Sequence, residues 1–398
     1  MNRRDFLSLT ALTATGLLTG TLARAVDRDF PVVRTPAAQR RFRSRAVERT
    51  IARVHAAAGN REIAWMFENC FPNTLDTTVE QGTVGGRPDT YVITGDIGAM
   101  WLRDSSAQVW PYLPLLTEDP ELRQLIAGVI NRQTRCILMD PYANAFYRDD
   151  RQVGEWRSDR TEMKPGVHER KWEIDSLCYP IRLAHGYWRA TGDATPFDSA
   201  WHDAVALTVR TFREQQRKTG RGPYSFQRRT ETPDDTLAGQ GYGNPARPVG
   251  LIHAMFRPSD DATIFPFLIP ANFFAVVSLR QAAVMVAELS RDPPLAAQCE
   301  ALAAEVGAAL RDHAAVEHPR SGRIYAYEVD GFGNSYCIDD GNIPSLLSLP
   351  YLGAVEATGG LYRRTRAFLL SEANPYYCTG KAAAGPGGPH AGPDMIWP

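Results

Sequence analysis

Residues 94–108 read TGDIGAMWLRDSSAQ, a short stretch that mixes charged side chains with large apolar ones. An ordinary surface segment does not need Trp101. An ordinary core cannot hold Arg103 and Asp104 unless their charges are paired. The stretch therefore predicts one wall of a polar pocket, where Asp96, Arg103 and Asp104 bind hydroxyl groups and Trp101 supplies an apolar surface. The alternative is a structural ion pair between Arg103 and Asp104 at the start of a helix, with a capping role for Asp104.

The overall composition is that of a globular protein with nearly balanced positive and negative charges. The chain has 398 residues, of which 44% are hydrophobic and 22% charged, and its formal net charge is -1. Such a balance offers no basic surface for nucleic acid or for an anionic membrane. We therefore expect no nucleic-acid partner.

The first 25 residues predict an export signal rather than a part of the fold. Arg3 and Arg4 form a twin arginine, a weakly apolar run follows, and Ala23-Arg24-Ala25 resembles a cleavage site. Polar residues interrupt the run, so that it is a poor membrane span, although a retained anchor is the alternative. We expect a twin-arginine signal peptide over 1–25, a mature chain from residue 26 in the periplasm or outside the cell, and no membrane partner after cleavage.

Helical periodicity dominates the mature chain. In residues 294–316, for example, Leu295, Leu302 and Val306 recur on one face of a helix. The same kind of pattern predicts about ten helices. They cover 36–58, 60–71, a segment from Pro120 with Asp119 as its N-cap, 171–189, 197–216, 269–291 and 294–316, with shorter ones over 101–114, 343–351 and 360–372.

Strand signals are confined to residues 90–95 and 323–334. Long polar loops over 140–170 and 217–262 separate the helices, and loops of this length in a compact domain are usually functional. Helices alternate with these long polar loops and with short turns, which predicts an all-α fold. In this fold, paired helices form a ring and the long polar loops gather at one end.

Four further stretches place acidic side chains in such loops. In residues 171–188, Glu173 and Asp175 start an apolar helix beside a tryptophan, as pocket carboxylates or simply as a capping pair. In residues 256–274, Asp260 and Asp261 precede an apolar segment. Two adjacent carboxylates repel each other when both are charged, which favours the protonated form that a general acid needs. A double N-cap is the alternative.

The remaining two stretches lie near the end of the chain. Residues 336–353 carry Asp339 and Asp340, and residues 385–398 carry His390 in a loop rich in glycine and proline. The six cysteines are scattered singly, and no spacing typical of a metal site is present. Acidic and aromatic loops on a helical scaffold are typical of an inverting glycosidase, which uses two carboxylates spaced to admit a water molecule.

Five stretches in order resemble glycoside hydrolase family 125, the exo-acting α-1,6-mannosidases. They are TGDIGAMWLRDSSAQVWPY, WEIDSLCYPIRL, FRPSDDA followed by LIPAN, DDGNIPSLLSLPYLG, and GGPH followed by IWP, and the resemblance runs from about residue 40 to the end. It implies an (α/α)6 barrel of twelve helices that removes terminal α-1,6-linked mannose with inversion and without a metal or other cofactor.

The resemblance also implies roles for particular residues. Asp260 or Asp261 is the general acid. The other site residues are predicted from their positions in or beside polar loops flanked by apolar segments, and the resemblance implies that their ligand is an α-mannoside oligosaccharide or glycan. They are Asp96, Trp101, Arg103, Asp104, Glu173, Asp175, Arg257, Asp339, Asp340 and His390. The family's general base is a glutamate in an HESF-like motif that follows the IWP motif.

This chain contains no HESF motif and ends at Pro398. We therefore expect residues 26–398 to form a barrel whose last helices are missing from this chain, with the general base beyond Pro398 and little activity in the chain as given. Two alternatives stay open, namely a mannoside-binding protein without catalysis and another inverting barrel hydrolase of the glucoamylase or trehalase kind.

Overall fold

A computed structural model describes residues 30–392 and 394–396 of the chain. The predicted signal peptide over residues 1–25 lies outside the described residues, as do Trp397 and Pro398. The fold below is therefore that of the predicted mature domain.

Most of the described residues that form regular structure are helical. The helices are α1 (Arg45–Ala57), α2 (Arg61–Cys70), α3 (Asn73–Thr77), α4 (Leu102–Val109), α5 (Pro120–Met139), α6 (Ile174–Thr191), α7 (Ser199–Gln215), α8 (Ile269–Met285), α9 (Pro293–His313) and α10 (Gly360–Leu369). One π turn, Val286–Ser290, extends α8. Short 3-10 turns cover Ala37–Gln39, Trp110–Leu115, Glu155–Ser158 and Pro233–Asp235.

The helix predictions are confirmed for the long periodic segments and are wrong at two places. Asp119 caps α5 as predicted, because its side chain accepts a hydrogen bond from the Leu122 amide. The single helix predicted over 36–58 starts only at α1, where the Ser44 side chain caps the first turn. The helix predicted over 343–351 is absent, and residues there form turns and bends.

Short strands accompany the helices, so that the scaffold is mostly helical rather than all-α. The strands are β1 (Val79–Val84), β2 (Arg87–Val92), β3 (Met100–Trp101), β4 (Ala145–Phe146), β5 (Val167–Glu169), β6 (Phe267–Leu268), β7 (Ala315–His318), β8 (Gly322–Tyr325), β9 (Glu328–Val329), β10 (Ser335–Tyr336), β11 (Tyr377–Thr379) and β12 (Ala384–Pro386). All pairings are antiparallel, in the hairpins β1–β2, β7–β8 and β11–β12 and in the sheets β3–β4–β5 and β10–β9–β6.

Six of the helices form two packed rows. In the first row α6 packs between α4 and α8, and in the second row α7 contacts both α5 and α9. The rows also pack on each other, most extensively through α8 and α9. Helix α8 is apolar on several faces and is largely buried, as a helix between two layers must be.

The chain alternates between the rows, so that α4, α6 and α8 all begin at the same end of the domain. Backbone hydrogen bonds support this arrangement directly. The Met255 amide donates to the carbonyl of Trp172, just before α6, and the Ala254 amide donates to the carbonyl of Pro266, just before α8. The acidic stretches of the sequence lead into these helix starts, and the fold therefore collects them at one end.

By length and composition alone, the segment Ile269–Ser290 is long and apolar enough to cross a membrane. Half of its most apolar window is buried inside the protein, and α8 packs on α6 and α9. A core helix of a globular domain gives this same signal.

Candidate active site

Arg103, in the first turn of α4, is the centre of a buried group of charges. Its Nη1 lies 2.6 Å from Oε2 of Glu173 and 3.0 Å from Oδ2 of Asp175, and both of these carboxylates have no exposed side-chain surface. Ser176 adds a second donor, with its hydroxyl 2.6 Å from Oε2 of Glu173. Glu173 makes no capping bond to α6, so this group is an ion-pair cluster rather than a capping pair.

One guanidinium cannot neutralise two buried carboxylates. Burial raises the pKa of Glu173, Arg103 opposes the shift, and the nearby charges of Asp260 and Asp175 add to it. Burial likewise raises the pKa of Asp175, again against the influence of Arg103. The cluster therefore favours one proton shared between the two acids while Arg103 stays charged.

Asp104 and Asp96 extend the cluster toward solvent. Asp104 Oδ2 lies 3.7 Å from Nε of Arg103, and its side chain is 36% exposed. Burial raises the pKa of Asp104, and the neighbouring charges of Asp260 and Asp96 add to this effect against Arg103. Asp96 is exposed. The stretch 94–108 therefore brings together a fixed arginine and two carboxylates that are partly or fully exposed.

Asp260 enters the same cluster from a different part of the chain. A single β-bridge between Phe256 and Ala262 closes a tight loop, and within it Asp260 has a left-handed backbone with φ of 70°. Its Oδ1 lies 3.7 Å from Nη2 of Arg103 and 3.4 Å from Nδ2 of Asn144. A third of the Asp260 side chain, 34%, is exposed, unlike Glu173 and Asp175. No helix begins at this loop, which excludes the double N-cap.

Lys171 holds the strained backbone of Asp260 in place. Its Nζ donates to the carbonyl oxygen of Asp260 at 2.9 Å and pairs with Asp235 at 2.6 Å, although the lysine side chain is only 4% exposed. Glu169 lies 3.7 Å from the same Nζ and accepts from Asn144 at 2.9 Å. A non-glycine residue with positive φ persists only where its surroundings fix it, and this network supplies that support.

Asp261 points to the other side of the loop. Its Oδ1 lies 2.9 Å from Nδ1 of His390, and this hydrogen bond is the main reason why the pKa of His390 is raised. Asp340 lies close by, with its Oδ2 accepting from the Ser259 hydroxyl at 2.6 Å. Neither Asp261 Oδ2 nor Asp175 Oδ1 has a hydrogen-bond partner among the described residues. A buried carboxylate oxygen without a donor is unfavourable.

Three of the predicted site residues contribute differently from expectation. Arg257 turns to Glu328, with Nε 2.7 Å from Oε1, and both side chains are buried. Asp339 accepts the amides of Leu346 and Leu347 at 2.8 and 3.0 Å, so it stabilises a turn instead of lining a pocket. Trp101 is 7% exposed and packs edge-on against His168, which leaves little of its ring open to a ligand.

The residues that sequence reasoning missed are the ones that support Asp260. Lys171 is the first residue of the stretch that contains Glu173 and Asp175, but the pattern gave no sign that its ammonium would be buried. Asn144 and Glu169 lie in the loop over 140–170 and carried no local signal. Within the described residues, no group of three or more His, Cys, Asp or Glu side chains is arranged to hold a metal ion.

Comparison with known proteins gives three similarities. The profile of the family described as metal-independent alpha-mannosidase (GH125) matches residues 60–398. A curated relative, the meiotically up-regulated gene 157 protein of Schizosaccharomyces pombe, is 40% identical over 387 residues, with 93% of this chain and 76% of that protein covered. A metal-independent alpha mannosidase of Streptococcus pneumoniae, solved in a non-productive complex with alpha-1,6-mannobiose, superposes with a TM-score of 0.86 and 38% identity over 90% of this chain and 84% of that one.

The burial of Asp339 predicts a distinct pH dependence of stability. Burial raises the pKa of Asp339 to about 7, against the opposing hydrogen bonds from the two backbone amides. In the unfolded chain the ordinary value is about 3.9. The folded protein therefore keeps this proton longer than the unfolded chain, and the contribution of Asp339 to stability falls as the pH rises from about 4 to about 7.

Between about pH 4 and about pH 7, Asp339 should make the free energy of unfolding fall by at most about 1.4 kcal/mol per pH unit. We expect Asp339→Asn to abolish this contribution to the pH dependence. Urea unfolding of both proteins at several pH values measures it, and the exposed Asp312→Asn provides the matched control. Parallel pH profiles for wild type and Asp339→Asn would contradict the prediction.

Proposed function

This chain belongs to the GH125 family of metal-independent alpha-mannosidases, and we propose that it removes terminal α-1,6-linked mannose from α-mannosides or glycans with inversion. The relative solved with alpha-1,6-mannobiose supports this choice of linkage. The proposed reaction needs an acid that protonates the leaving oxygen and a base that activates water on the opposite face of the sugar.

The observation that carries the proposal is the position of Asp260. It is a partly exposed carboxylate at the edge of the Arg103 cluster, and its backbone is fixed by Lys171. We assign the general acid to Asp260. Asp261 is 8% exposed at its side chain and is engaged by His390, so we assign it the role of orienting that histidine.

The Arg103 cluster is suited to hold the sugar that is cleaved. Asp104 and Asp96 can accept hydrogen bonds from neighbouring hydroxyl groups, and hydrogen bonds to charged groups contribute about 1.5–3 kcal/mol each. Because Glu173 and Asp175 lock the guanidinium of Arg103, the site does not have to reorganise when the sugar binds. In this proposal these residues bind the substrate and do not transfer protons.

Two finer parts of the proposal concern the fold and the base. We propose that the two helix rows belong to an (α/α)6 barrel, which the alternation of α4 to α9 between the rows supports. We also propose that the base is a second carboxylate, and the assay below shows whether the 398 residues supply it. If the chain of 398 residues is itself active, its base is one of its own carboxylates.

The activity is tested with α-1,6-mannobiose, with α-1,2- and α-1,3-mannobiose as matched controls. We expect free mannose from the α-1,6 disaccharide alone, β-mannose as the first product in proton NMR, and unchanged rates after treatment with EDTA. The 398-residue chain and a version extended through its downstream reading frame are assayed together. Binding of the disaccharide without hydrolysis by either version would favour a mannoside-binding protein, and first release of α-mannose would exclude inversion.

The assignment of the acid predicts a clear difference between two neighbouring aspartates. The two variants are made in whichever of the two assayed chains hydrolyses the disaccharide. There, Asp260→Asn should lower kcat on α-1,6-mannobiose by about 10²–10⁴-fold with little change in KM. The loss should be much smaller with α-mannosyl fluoride, because fluoride leaves without protonation. The matched variant Asp261→Asn should keep more activity on α-1,6-mannobiose. Its loss of activity should be about the same with α-mannosyl fluoride as with the disaccharide. The opposite pattern would identify Asp261 as the acid.

We further propose that the protein is exported through the twin-arginine route to the periplasm or beyond. The support is the twin arginine at Arg3 and Arg4 and the small-residue end at Ala25. N-terminal sequencing of protein from the producing cell should begin near Val26. Soluble cytoplasmic protein that retains Met1 would refute export.

A further inference from the structure

A cavity of about 460 Å³ lies beside the C-terminal end of α7, between residues 217–221 and the glycine-rich loop at 239–248. Three cationic side chains, Arg217, Lys218 and Arg221, are among the residues that line it. The described residues that line this cavity include no aspartate or glutamate. The cavity contains none of the residues assigned above to the mannoside site.

Arg217 is the unusual member of this group. It is only 9% exposed, yet no carboxylate lies within ion-pair distance of it in the described part of the chain. Its hydrogen bonds go to uncharged acceptors, namely Oε1 of Gln215 at 3.1 Å, the carbonyl oxygen of Tyr242 at 2.8 Å and the sulfur of Met255 at 3.4 Å. Most other buried arginines of the described chain, such as Arg103 and Arg257, pair with carboxylates, whereas Arg182 stacks on the rings of Trp110 and Tyr351.

A buried charge without a counter-charge is costly, and burial accordingly disfavours the charged form of Arg217. Burial lowers the pKa of Arg217 to about 10, and only the phenols of tyrosines oppose the shift. A guanidinium has five N–H donors, of which three are used here. Two donors therefore remain for a further acceptor.

The other cations of the cavity are accessible. Lys218 is 49% exposed at its side chain and pairs with Glu305, outside the cavity lining. Arg221 is exposed and stacks over the Tyr242 ring at 5.2 Å, and it forms no ion pair among the described residues. His253, which also lines the cavity, adds no charge, because burial lowers its pKa to about 3. The cavity is thus positively charged overall.

We propose that this cavity is a second binding site, distinct from the mannoside site, which takes a phosphate group. The phosphate accepts hydrogen bonds from the remaining donors of Arg217 and from Arg221, and Lys218 adds a point charge at the rim. The volume and the proline and tyrosine side chains of the wall leave room for a small saccharide on that phosphate. A free phosphate ion and a phosphorylated sugar share this chemistry.

The test measures binding to the full chain by calorimetry at constant ionic strength, with mannose 6-phosphate, inorganic phosphate and mannose as probes. We expect saturable binding of mannose 6-phosphate and none of mannose at this cavity. Equal affinity for inorganic phosphate would identify the free ion as the ligand, and tighter binding of mannose 6-phosphate would identify a phosphorylated saccharide.

Substitution of the exposed cations shows whether phosphate binds in this cavity. Because these side chains are exposed, their replacement should not disturb the fold. Lys218→Ala and Arg221→Ala should each weaken phosphate binding about tenfold or more. The exposed Arg320→Ala, outside the cavity, should leave it unchanged. Equal binding by Arg221→Ala, Lys218→Ala and Arg320→Ala, or the absence of saturable phosphate binding, would overturn the proposal. Hydrolysis of α-1,6-mannobiose by the same variants is measured in parallel, so that a failure of this site and a failure of the proposed activity are seen separately.

Discussion

The requirement that Arg103 be paired in a buried position organises the end of the domain that holds the proposed active site. A guanidinium that is taken out of water needs counter-charges close by, and Glu173 and Asp175 provide them from the start of another helix. The same ion pairs therefore fix the first turn of α4 against the first turn of α6. Removal of Arg103 would leave the remaining carboxylate charge stranded, which costs more than the pair contributes. Asp260 then meets a surface that is already rigid.

The parts of the fold that the sequence could predict are those with strong local patterns. The long amphipathic helices and the Asp119 cap follow from spacing and from one side-chain acceptor, and they are present nearly where expected. The segment over 343–351 has an apolar pattern too. It forms turns because Pro344 and Pro350 limit helical hydrogen bonding and because Asp339 and the Ser345–Ser348 pair engage its backbone amides.

The site was only partly predictable for a similar reason. Sequence spacing indicated which acidic residues precede apolar segments, and the fold collects several of them around Arg103. It could not indicate which way a side chain turns, so Arg257 and Asp339 were expected to face a ligand and instead bind Glu328 and backbone amides. Lys171 and Asn144 matter because of partners 89 and 116 residues away, and no local pattern reports such distances along the chain.

The hydrogen bond between Asp261 and His390 joins residues 129 positions apart. At a synthesis rate of about 5–20 residues per second, a ribosome needs about 6 to 26 s to make the intervening chain. During that time the loop that carries Asp260 and Asp261 exists without its histidine partner, while α4, α6 and their ion pairs are already complete in sequence. The helices and the ion pairs of Arg103 can therefore form during translation, but the loop of Asp260 and Asp261 acquires this contact only after His390 has been made.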